Sequence, residues 1–449
     1  MDCRLAIDVY YKLLHIYCSG IGGIGLSAYA ALQHALGVRV TGSDRTETPL
    51  IRDVRERGIA VSLVQDGTAF SADTDLLVYS EAIPADAPER MRAAELGIRQ
   101  ISYFHALGEL CAGYSTRIAV CGTHGKSTTT AMTAHVLQDM GMDPTVIVGT
   151  KVPALDGRNW RHGQSGLFLM EACEYRRSFM HLAPTIILLT NVDWDHVDAF
   201  PSRESYEAAF VDFVSTLPTD GVLVTHMQDP QCRLVAERAG LDIETQVIDA
   251  DGLSRLQEPH MWGRHIRDNA RLVLALCEHL GKRASLTKES LEDFQGCWRR
   301  MEERGRTKQG AIVVDDYAHH PTEILATVTT IREKYPQRRL ICVFQPHMFD
   351  RTQQFYKEFT QAFLGTYVLL TDVYEARREA KKQDVDMKTF AKDIAQESGT
   401  NCEYVGSLLE AQDKLDAILH SQDVVLFLGA GDVTNLASQL VDATASCPS

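Results

Sequence analysis

The chain lacks the paired cysteines of disulfide or zinc scaffolds. It has 11 cysteines, an odd number, and no C-x-x-C pair occurs among them. Secreted disulfide frameworks and zinc clusters show even, closely spaced cysteines, so both classes are disfavoured. Reduced thiols in a cytoplasm are the simplest expectation.

Long apolar runs and an excess of positive charge are also missing. No uncharged run approaches the ~20 apolar residues that span a bilayer, and the acidic N-terminal residues do not resemble a secretory signal. Lys and Arg total 45 against 60 Asp and Glu, a formal net charge of −15. Because nucleic-acid-binding proteins typically carry a basic surface, we expect a cytoplasmic protein with neither a nucleic-acid nor a membrane partner.

Short apolar runs alternate with helical patterns along the chain. This alternation is typical of parallel βαβ units and predicts an α/β fold. At ~100–200 residues per domain, two to four domains are expected. A strand, a polar or glycine-rich loop and a helix start anew near residues 13, 116 and 310. We therefore predict three successive α/β units with boundaries near 110–116 and 300–310.

The first unit begins with a glycine-rich loop. The apolar run Leu13–Ser19 leads into Gly20-Ile21-Gly22-Gly23-Ile24-Gly25, and Asp44 follows the next strand. This spacing is typical of dinucleotide binding, because glycines let backbone N–H groups at a helix N-terminus approach a diphosphate. The diphosphate could belong to NAD or to a nucleotide sugar, and a purely structural turn is a third interpretation.

The second unit carries the strongest single motif. Gly122-Thr123-His124-Gly125-Lys126-Ser127-Thr128 lies between a predicted strand and a predicted helix. In a phosphate loop the lysine neutralises the β- and γ-phosphates, and the hydroxyl that follows it can hold Mg²⁺. Val120 stands where the usual loop has its first glycine, so the spacing departs from the common pattern.

Acidic residues and one histidine follow two later strands of the same unit. Since ligands in open α/β sheets bind at the carboxyl ends of strands, and carboxylates suit Mg²⁺, a magnesium site is predicted near the phosphate loop. The residues are Glu171, Glu174, Asp193, Asp195, His196 and Asp198.

A dense polar stretch opens the third unit. Asp315–Pro321 contains two aspartates and two histidines at the end of a predicted strand. Such residues can orient ribose hydroxyls or an incoming amine. A zinc site is disfavoured because no spaced cysteine or acidic partner accompanies the two histidines. His347, Arg351, Asp372 and Asp432 follow other strand ends of the same unit.

Taken together and in this order, the motifs resemble the Mur ligase family, and within it the alanine-adding branch. The resemblance spans residues ~13 to ~440. It is carried by Gly20–Gly25, Gly122–Thr129, Thr190-Asn191, Asp195-His196-x-Asp198, Gly263-x-His265, Arg299-Arg300, Asp316–Glu323, Phe344–His347, Arg351-Thr352 and Gly429–Asp432.

The resemblance implies three domains and a reaction. Residues 1–112 would form a Rossmann-like UDP-sugar-binding domain, residues 113–306 a central phosphate-loop ATPase domain with a mainly parallel sheet, and residues 307–449 a Rossmann-like domain closing on ATP and the amino acid. With ATP and Mg²⁺, the lactoyl carboxylate of UDP-N-acetylmuramate would be phosphorylated and then attacked by L-alanine, in peptidoglycan precursor synthesis.

The resemblance also implies residue roles. Gly20–Gly25 and Asp44 would hold the UDP-sugar. Ser127, Glu171, Glu174 and His196 would bind Mg²⁺, and His319 and His347 would contact the substrate or amino acid. Lys126, His196, His320 and Arg351 would act in catalysis. The ATP contacts would be Gly122, Thr123, His124, Gly125, Lys126, Ser127, Thr128, Asn191, His265, Asn269 and Asp316.

One absence supports the alanine-adding branch, and four substitutions depart from the family pattern. Other Mur ligases use a carbamylated lysine, but no lysine occurs between Lys151 and Lys282. The departures are Cys173 and Arg176 in place of acids, Ile266 in place of asparagine and Met348 in place of arginine.

Three alternatives stay open on the sequence alone. The chain could add another amino acid or a recycled peptide to a UDP-muramoyl acceptor. It could be an NAD-dependent oxidoreductase, although the loop at Lys126 would then have no role. It could also bind nucleotides without ligase activity.

Overall fold

The computed structural model describes residues 14–252, 259–375 and 385–441. Three β-sheets of five, seven and six strands form the framework. The described residues fall into two compact units. The first draws on Met1–Asp193, Glu207–Gln257 and Arg271–Phe294, and the second on Trp194–Tyr206, Glu258–Ala270 and Gln295–Ser449.

The first sheet is entirely parallel, with strand order β3-β2-β1-β4-β5. This order matches the first five strands of the Rossmann order 3-2-1-4-5-6. Its elements are β1 His15–Ser19, α1 Ile24–Ala35, β2 Arg39–Ser43, α2 Pro49–Glu56, β3 Ala60–Ser62, β4 Leu76–Tyr79, α3 Pro88–Glu95, β5 Arg99–Ser102 and α4 Tyr103–Cys111.

The second sheet has the order β12-β11-β10-β6-β9-β7-β8, and only its edge strand β8 is antiparallel. Its strands are β6 Thr116–Cys121, β7 Thr145–Val152, β8 Arg158–Arg161, β9 Leu167–Glu171, β10 Ile186–Leu189, β11 Val222–Thr225 and β12 Val247–Asp249. The α-helices of this part of the chain are α5 Lys126–Asp139, α6 Arg203–Val214, α7 Pro230–Arg238, α8 Arg264–His279 and α9 Ala284–Glu292.

The third sheet has the order β13-β14-β18-β15-β16-β17, with antiparallel β13 at one edge. Its strands are β13 Glu302–Arg306, β14 Ile312–Asp316, β15 Arg339–Phe344, β16 Tyr367–Thr371, β17 Asn401–Gly406 and β18 Asp423–Leu428. The helices are α10 Pro321–Lys334, α11 Phe349–Gln354, α12 Tyr356–Thr360, α13 Met387–Glu397, α14 Leu408–Ile418 and α15 Val433–Leu440.

The central parallel strands are buried on both faces, as is usual for parallel sheets. All four residues of β10 and all six of β18 are buried, and apolar clusters pack on both faces of the third sheet. The predicted α/β class with three mostly parallel sheets is therefore confirmed.

The domain limits 1–112, 113–306 and 307–449 stay a prediction. Strand β13, which ends at Arg306, pairs with β14 in the third sheet, so that sheet starts a few residues before the predicted limit. In the part of the chain that the structure describes, no helix has the length and apolar character needed to cross a bilayer.

Candidate nucleotide and metal site

Two glycines of the phosphate loop have positive φ angles, which other residues rarely adopt. Gly122 has φ +130° and Gly125 has φ +82°. A Cβ on Gly122 would lie 2.0 Å from Thr190 Oγ1 and 2.9 Å from the Asn191 carbonyl oxygen. The loop therefore packs directly on the end of β10, and only glycine fits at position 122.

Hydrogen bonds fasten the loop to the residues after β10. The Thr123 amide donates to the Asn191 carbonyl at 3.0 Å, and the His124 amide donates to Asn191 Oδ1 at 3.0 Å. Thr123 Oγ1 donates to the Asp193 carbonyl at 2.7 Å. The structure thus brings Asn191, predicted from a separate motif, against the phosphate loop.

Lys126 is the central cation of this loop. Its Nζ donates to the carbonyls of Gly122 at 2.6 Å and Thr123 at 2.8 Å, and it lies 3.0 Å from Glu174 Oε1. Burial alone would lower the pKa of Lys126, but the carboxylates of Glu174 and Glu171 hold it above its ordinary value. An ammonium is thus kept charged where phosphates would bind.

The predicted metal ligands of the first unit gather near this ammonium. Glu174 is 1% exposed and Ser127 is buried, while Glu171 Oε2 accepts from the Gly149 amide at 2.8 Å. Hydroxyl and carboxylate oxygens are the donors that Mg²⁺ prefers. The donor set of Ser127, Glu171 and Glu174 therefore fits this ion.

Two departures from the family pattern lie beside these acids. Burial, with the nearby Glu174 carboxylate, raises the pKa of the Cys173 thiol to about 12. Position 173 is therefore neutral near pH 7. Arg176 lies in the segment after β9 and adopts a left-handed backbone with φ +51°.

The other glycine loop joins β1 to α1 in the first sheet. The amides of Gly20 and Ile21 both donate to the Ser43 carbonyl at 2.9 Å, and the Gly22 amide donates to Asp44 Oδ2 at 2.8 Å. Helix α1 begins after Gly23 without a side-chain cap. A helix N-terminus of this kind attracts a diphosphate.

Tyr103 closes this loop from the side. A Cβ on Gly25 would lie 2.7 Å from Tyr103 Cε1. Burial raises the pKa of Tyr103, and the charge of Glu171 raises it further. Tyr103 thus lies between the glycine loop and Glu171, which the sequence did not reveal because position 103 belongs to no recognisable motif.

A buried ion pair joins two predicted site segments in the second compact unit, the one that contains Trp194–Tyr206 and Gln295–Ser449. Arg351 donates to Asp195 Oδ1 from Nε at 3.1 Å and from Nη2 at 2.9 Å, while its Nη1 donates to His347 Nδ1 at 3.1 Å. Burial would raise the pKa of Asp195, but Arg351 holds it well below its usual range. Arg351 is therefore committed to a carboxylate of its own chain.

Histidines surround this ion pair. His319 Nδ1 lies 3.0 Å from the Tyr317 carbonyl. Since a carbonyl only accepts, Nδ1 carries the proton and Nε2 is an acceptor. Burial and the Arg351 cation lower the pKa of His319 to about 3. His320 caps α10 in a capping box with Glu323, so the start of the helix fixes the position of its side chain.

Three further predicted site residues belong to the same compact unit as this ion pair. His196 has φ +53°, and its amide donates to Asp195 Oδ1 at 2.6 Å. His265 and Asn269 lie on α8, where Asn269 is buried. Their predicted ATP contacts, and the metal role of His196, stay predictions.

Asp316 is a buried carboxyl with neutral partners. Thr327 Oγ1 donates to its Oδ2 at 2.8 Å and the Ala318 amide to its Oδ1 at 3.0 Å. Burial raises the pKa of Asp316 to about 6. The predicted ribose contact is therefore only partly ionised in mildly acidic solution.

The parallel sheets and the lysine-bearing loop define a multidomain α/β protein of the nucleotide-binding class. Family models match consecutive parts of the chain: the Mur ligase family catalytic domain over residues 15–115, the Mur ligase middle domain over 120–255 and the Mur ligase glutamate ligase domain over 299–431.

Individual relatives match over nearly the full length. The chain is 37% identical to UDP-N-acetylmuramate–L-alanine ligase of Desulfitobacterium hafniense, covering 95% of this chain and 99% of that protein. For the same-named protein of Alkaliphilus metalliredigens the identity is 34%, with 96% and 98% covered. The crystal structure of UDP-N-acetylmuramate–alanine ligase from Thermotoga maritima superimposes with a TM-score of 0.78 at 27% identity, covering 95% and 98%. The chain belongs to the Mur ligase family.

Gly122→Ala is expected to weaken ATP binding at least ~10-fold, because the added Cβ would push the loop off Thr190. Gly141→Ala is the matched control: it also has positive φ, at +69°, but meets no atom within 4 Å. The control should lose ~1 kcal/mol of stability from backbone strain and keep its ATP affinity, measured by calorimetry. Equal ATP affinities for the two variants would contradict the packing argument.

Asp316→Asn should remove a pH-dependent loss of stability. Between pH ~4 and ~6 the folded protein binds a proton at Asp316 that the unfolded chain has released, so wild-type stability falls as pH rises through this window. The variant should gain up to about 3 kcal/mol relative to wild type by pH 7, with little gain at pH 4. Urea unfolding across this range, with exposed Asp413→Asn as control, measures the difference. A constant difference across the range would refute the raised pKa.

Proposed function

We propose that this chain is an ATP-dependent ligase that joins L-alanine to the lactoyl carboxylate of UDP-N-acetylmuramate through an acyl-phosphate. The observation that carries the proposal is the buried Lys126 ammonium in a glycine loop beside Glu171 and Glu174. The names of the full-length relatives support the choice of substrates.

The site chemistry suits phosphoryl transfer to a carboxylate. A carboxylate is a poor electrophile, and taking the γ-phosphoryl group of ATP gives it a leaving group. The amine of L-alanine then attacks the acyl carbon and phosphate departs. Charge grows on the phosphoryl oxygens during the first step, and fixed donors stabilise such charge. Lys126 and the loop amides supply these donors.

Lys126 has to change partners when ATP binds. Its ammonium donates hydrogen bonds to Glu174 and to two loop carbonyls. A bound γ-phosphate would compete for the same protons. Glu174 is then available to the Mg²⁺ ion that the Ser127, Glu171 and Glu174 oxygens fit. When bound, that ion would neutralise phosphate charge.

The UDP diphosphate is assigned to the loop Gly20–Gly25. The amides of Gly20, Ile21 and Gly22 donate to Ser43 and Asp44 and so hold the loop in one shape, and the N-terminus of α1 supplies positive potential beside it. An NAD-dependent oxidoreductase would use the same loop but would leave Lys126 and its acids without a role. The absence of any lysine between Lys151 and Lys282 favours the alanine-adding branch over family members that use a carbamylated lysine.

Phosphate release from ATP tests the proposal. Purified protein is supplied with UDP-N-acetylmuramate and L-alanine, singly and together. We expect release only when both are present. Release with the UDP-sugar and another amino acid or a peptide would keep the mechanism and change the second substrate. No release with any combination would refute ligase activity.

Lys126→Ala should lower kcat by at least ~10²–10³-fold, as loss of a charge-stabilising donor does. The exposed Lys392→Ala is the control and should match wild type. Because the single variant leaves Glu174 as a buried unpaired carboxylate, Lys126→Met/Glu174→Gln is measured as well, with thermal unfolding of each protein. A folded double variant that still ligates normally would rule out the role of the loop.

A further inference from the structure

Glu89 is a buried carboxylate that belongs to no sequence motif and has no part in the proposed phosphorylation or amine attack. It lies in the first turn of α3, and its side chain is 1% exposed. Tyr17 donates its hydroxyl to Oε1 at 2.7 Å, and Ser43 donates its hydroxyl to Oε2 at 2.8 Å. The Ser19 hydroxyl also donates to Oε2.

Burying a carboxylate away from water costs free energy of folding unless its oxygens accept hydrogen bonds. Three hydroxyl donors meet that need, whereas an apolar residue would fill the same space without it. A buried polar network whose members are all hydrogen-bonded holds the elements that it joins in one arrangement.

The two serine donors, unlike Tyr17, lie at the ends of the strands that flank the glycine loop. Ser19 is the last residue of β1 and immediately precedes Gly20, and Ser43 is the last residue of β2 and immediately precedes Asp44. The Ser43 carbonyl accepts from the amides of Gly20 and Ile21. One carboxylate thus binds both sides of the point where the loop leaves the sheet.

The Ser43 hydroxyl is further fixed from its other side. Gln65 Nε2 donates to Ser43 Oγ at 3.2 Å, and Arg45 Nε donates to Gln65 Oε1 at 3.0 Å. Since Ser43 receives a hydrogen bond from Gln65, its single proton is directed to Glu89. The network leads from the exposed Arg45 to the buried carboxylate without a gap.

We propose that Glu89 is a positioning residue for the UDP-sugar: through Ser19 and Ser43 it fixes the loop Gly20–Gly25 in the shape that receives the diphosphate. This inference rests on the proposed function for the identity of the ligand. Glu89 itself touches the loop only through the two serines, so it acts on binding of the UDP-sugar and leaves ATP binding alone.

Calorimetric titration of UDP-N-acetylmuramate and, separately, of ATP tests this role in Glu89→Leu and Glu89→Gln. Leucine removes every acceptor, and we expect a Kd for the UDP-sugar at least ~10-fold higher with the Kd for ATP changed less than ~2-fold. Glutamine keeps one acceptor, and its amide can donate to hydroxyl oxygens. It should bind the UDP-sugar within ~3-fold of wild type.

Two further variants separate positioning from general destabilisation. Ser43→Ala removes one of the two links between Glu89 and the loop and leaves Ser19 in place. It should raise the Kd for the UDP-sugar as Glu89→Leu does, but by a smaller factor. Gln33→Met removes another buried hydrogen bond of the first sheet's domain, the one from Gln33 Nε2 to the Tyr29 hydroxyl at 3.0 Å, and should bind as wild type. Unchanged UDP-sugar binding in Glu89→Leu, or a proportional loss of both ligands, would overturn the proposal.

Hydrogen–deuterium exchange of the protein without ligand keeps this test independent of the substrate assignment. Peptides over residues 20–25 should exchange faster in Glu89→Leu than in wild type, while peptides over residues 122–128 should be unchanged. A wild-type protein that binds ATP but no UDP-N-acetylmuramate would refute the proposed function and its ligand. Unchanged exchange over residues 20–25 would refute the role of Glu89 in either case.

Discussion

A single buried ammonium organises the nucleotide site. Lys126 bonds two carbonyls of its own loop and the Glu174 carboxylate at once, so loop shape and local charge balance depend on the same group. Glycine at position 122 lets the loop lie on Thr190, which keeps that ammonium at the carboxyl end of the sheet.

The two positions where the family pattern has acids, 173 and 176, alter the charge near this ammonium. A neutral thiol at position 173 and an arginine at position 176 replace two acids of the family pattern, so this segment carries fewer negative charges than the pattern provides. The retained Glu174 supplies the close counter-charge to Lys126, and Glu171 adds to it at longer range. Met348, another departure, has φ +68° and is buried, while the nearby Arg351 is paired with Asp195.

Local patterns made most of the fold predictable. The strands before Gly20, Gly122 and Asp316 show as apolar runs that end in glycine or polar residues, and the structure has strands at each. Contacts between distant segments were not predictable in this way. The Arg351–Asp195 pair joins residues 156 positions apart, and Glu89 reaches Ser19 across 70. Periodicity and spacing depend on residues close together in the chain, so only the resemblance of the ordered motifs to a known family indicated which strand ends act together.

The two compact units are interleaved along the chain, and this affects how the protein can be made. The second unit includes Trp194–Tyr206, and the first unit is not finished until Phe294. During synthesis on the ribosome, neither unit has all of its residues until well past the middle of the message. A split of the gene at any one point would leave at least one half-protein with an incomplete core, so fragment complementation is a poor strategy for this chain.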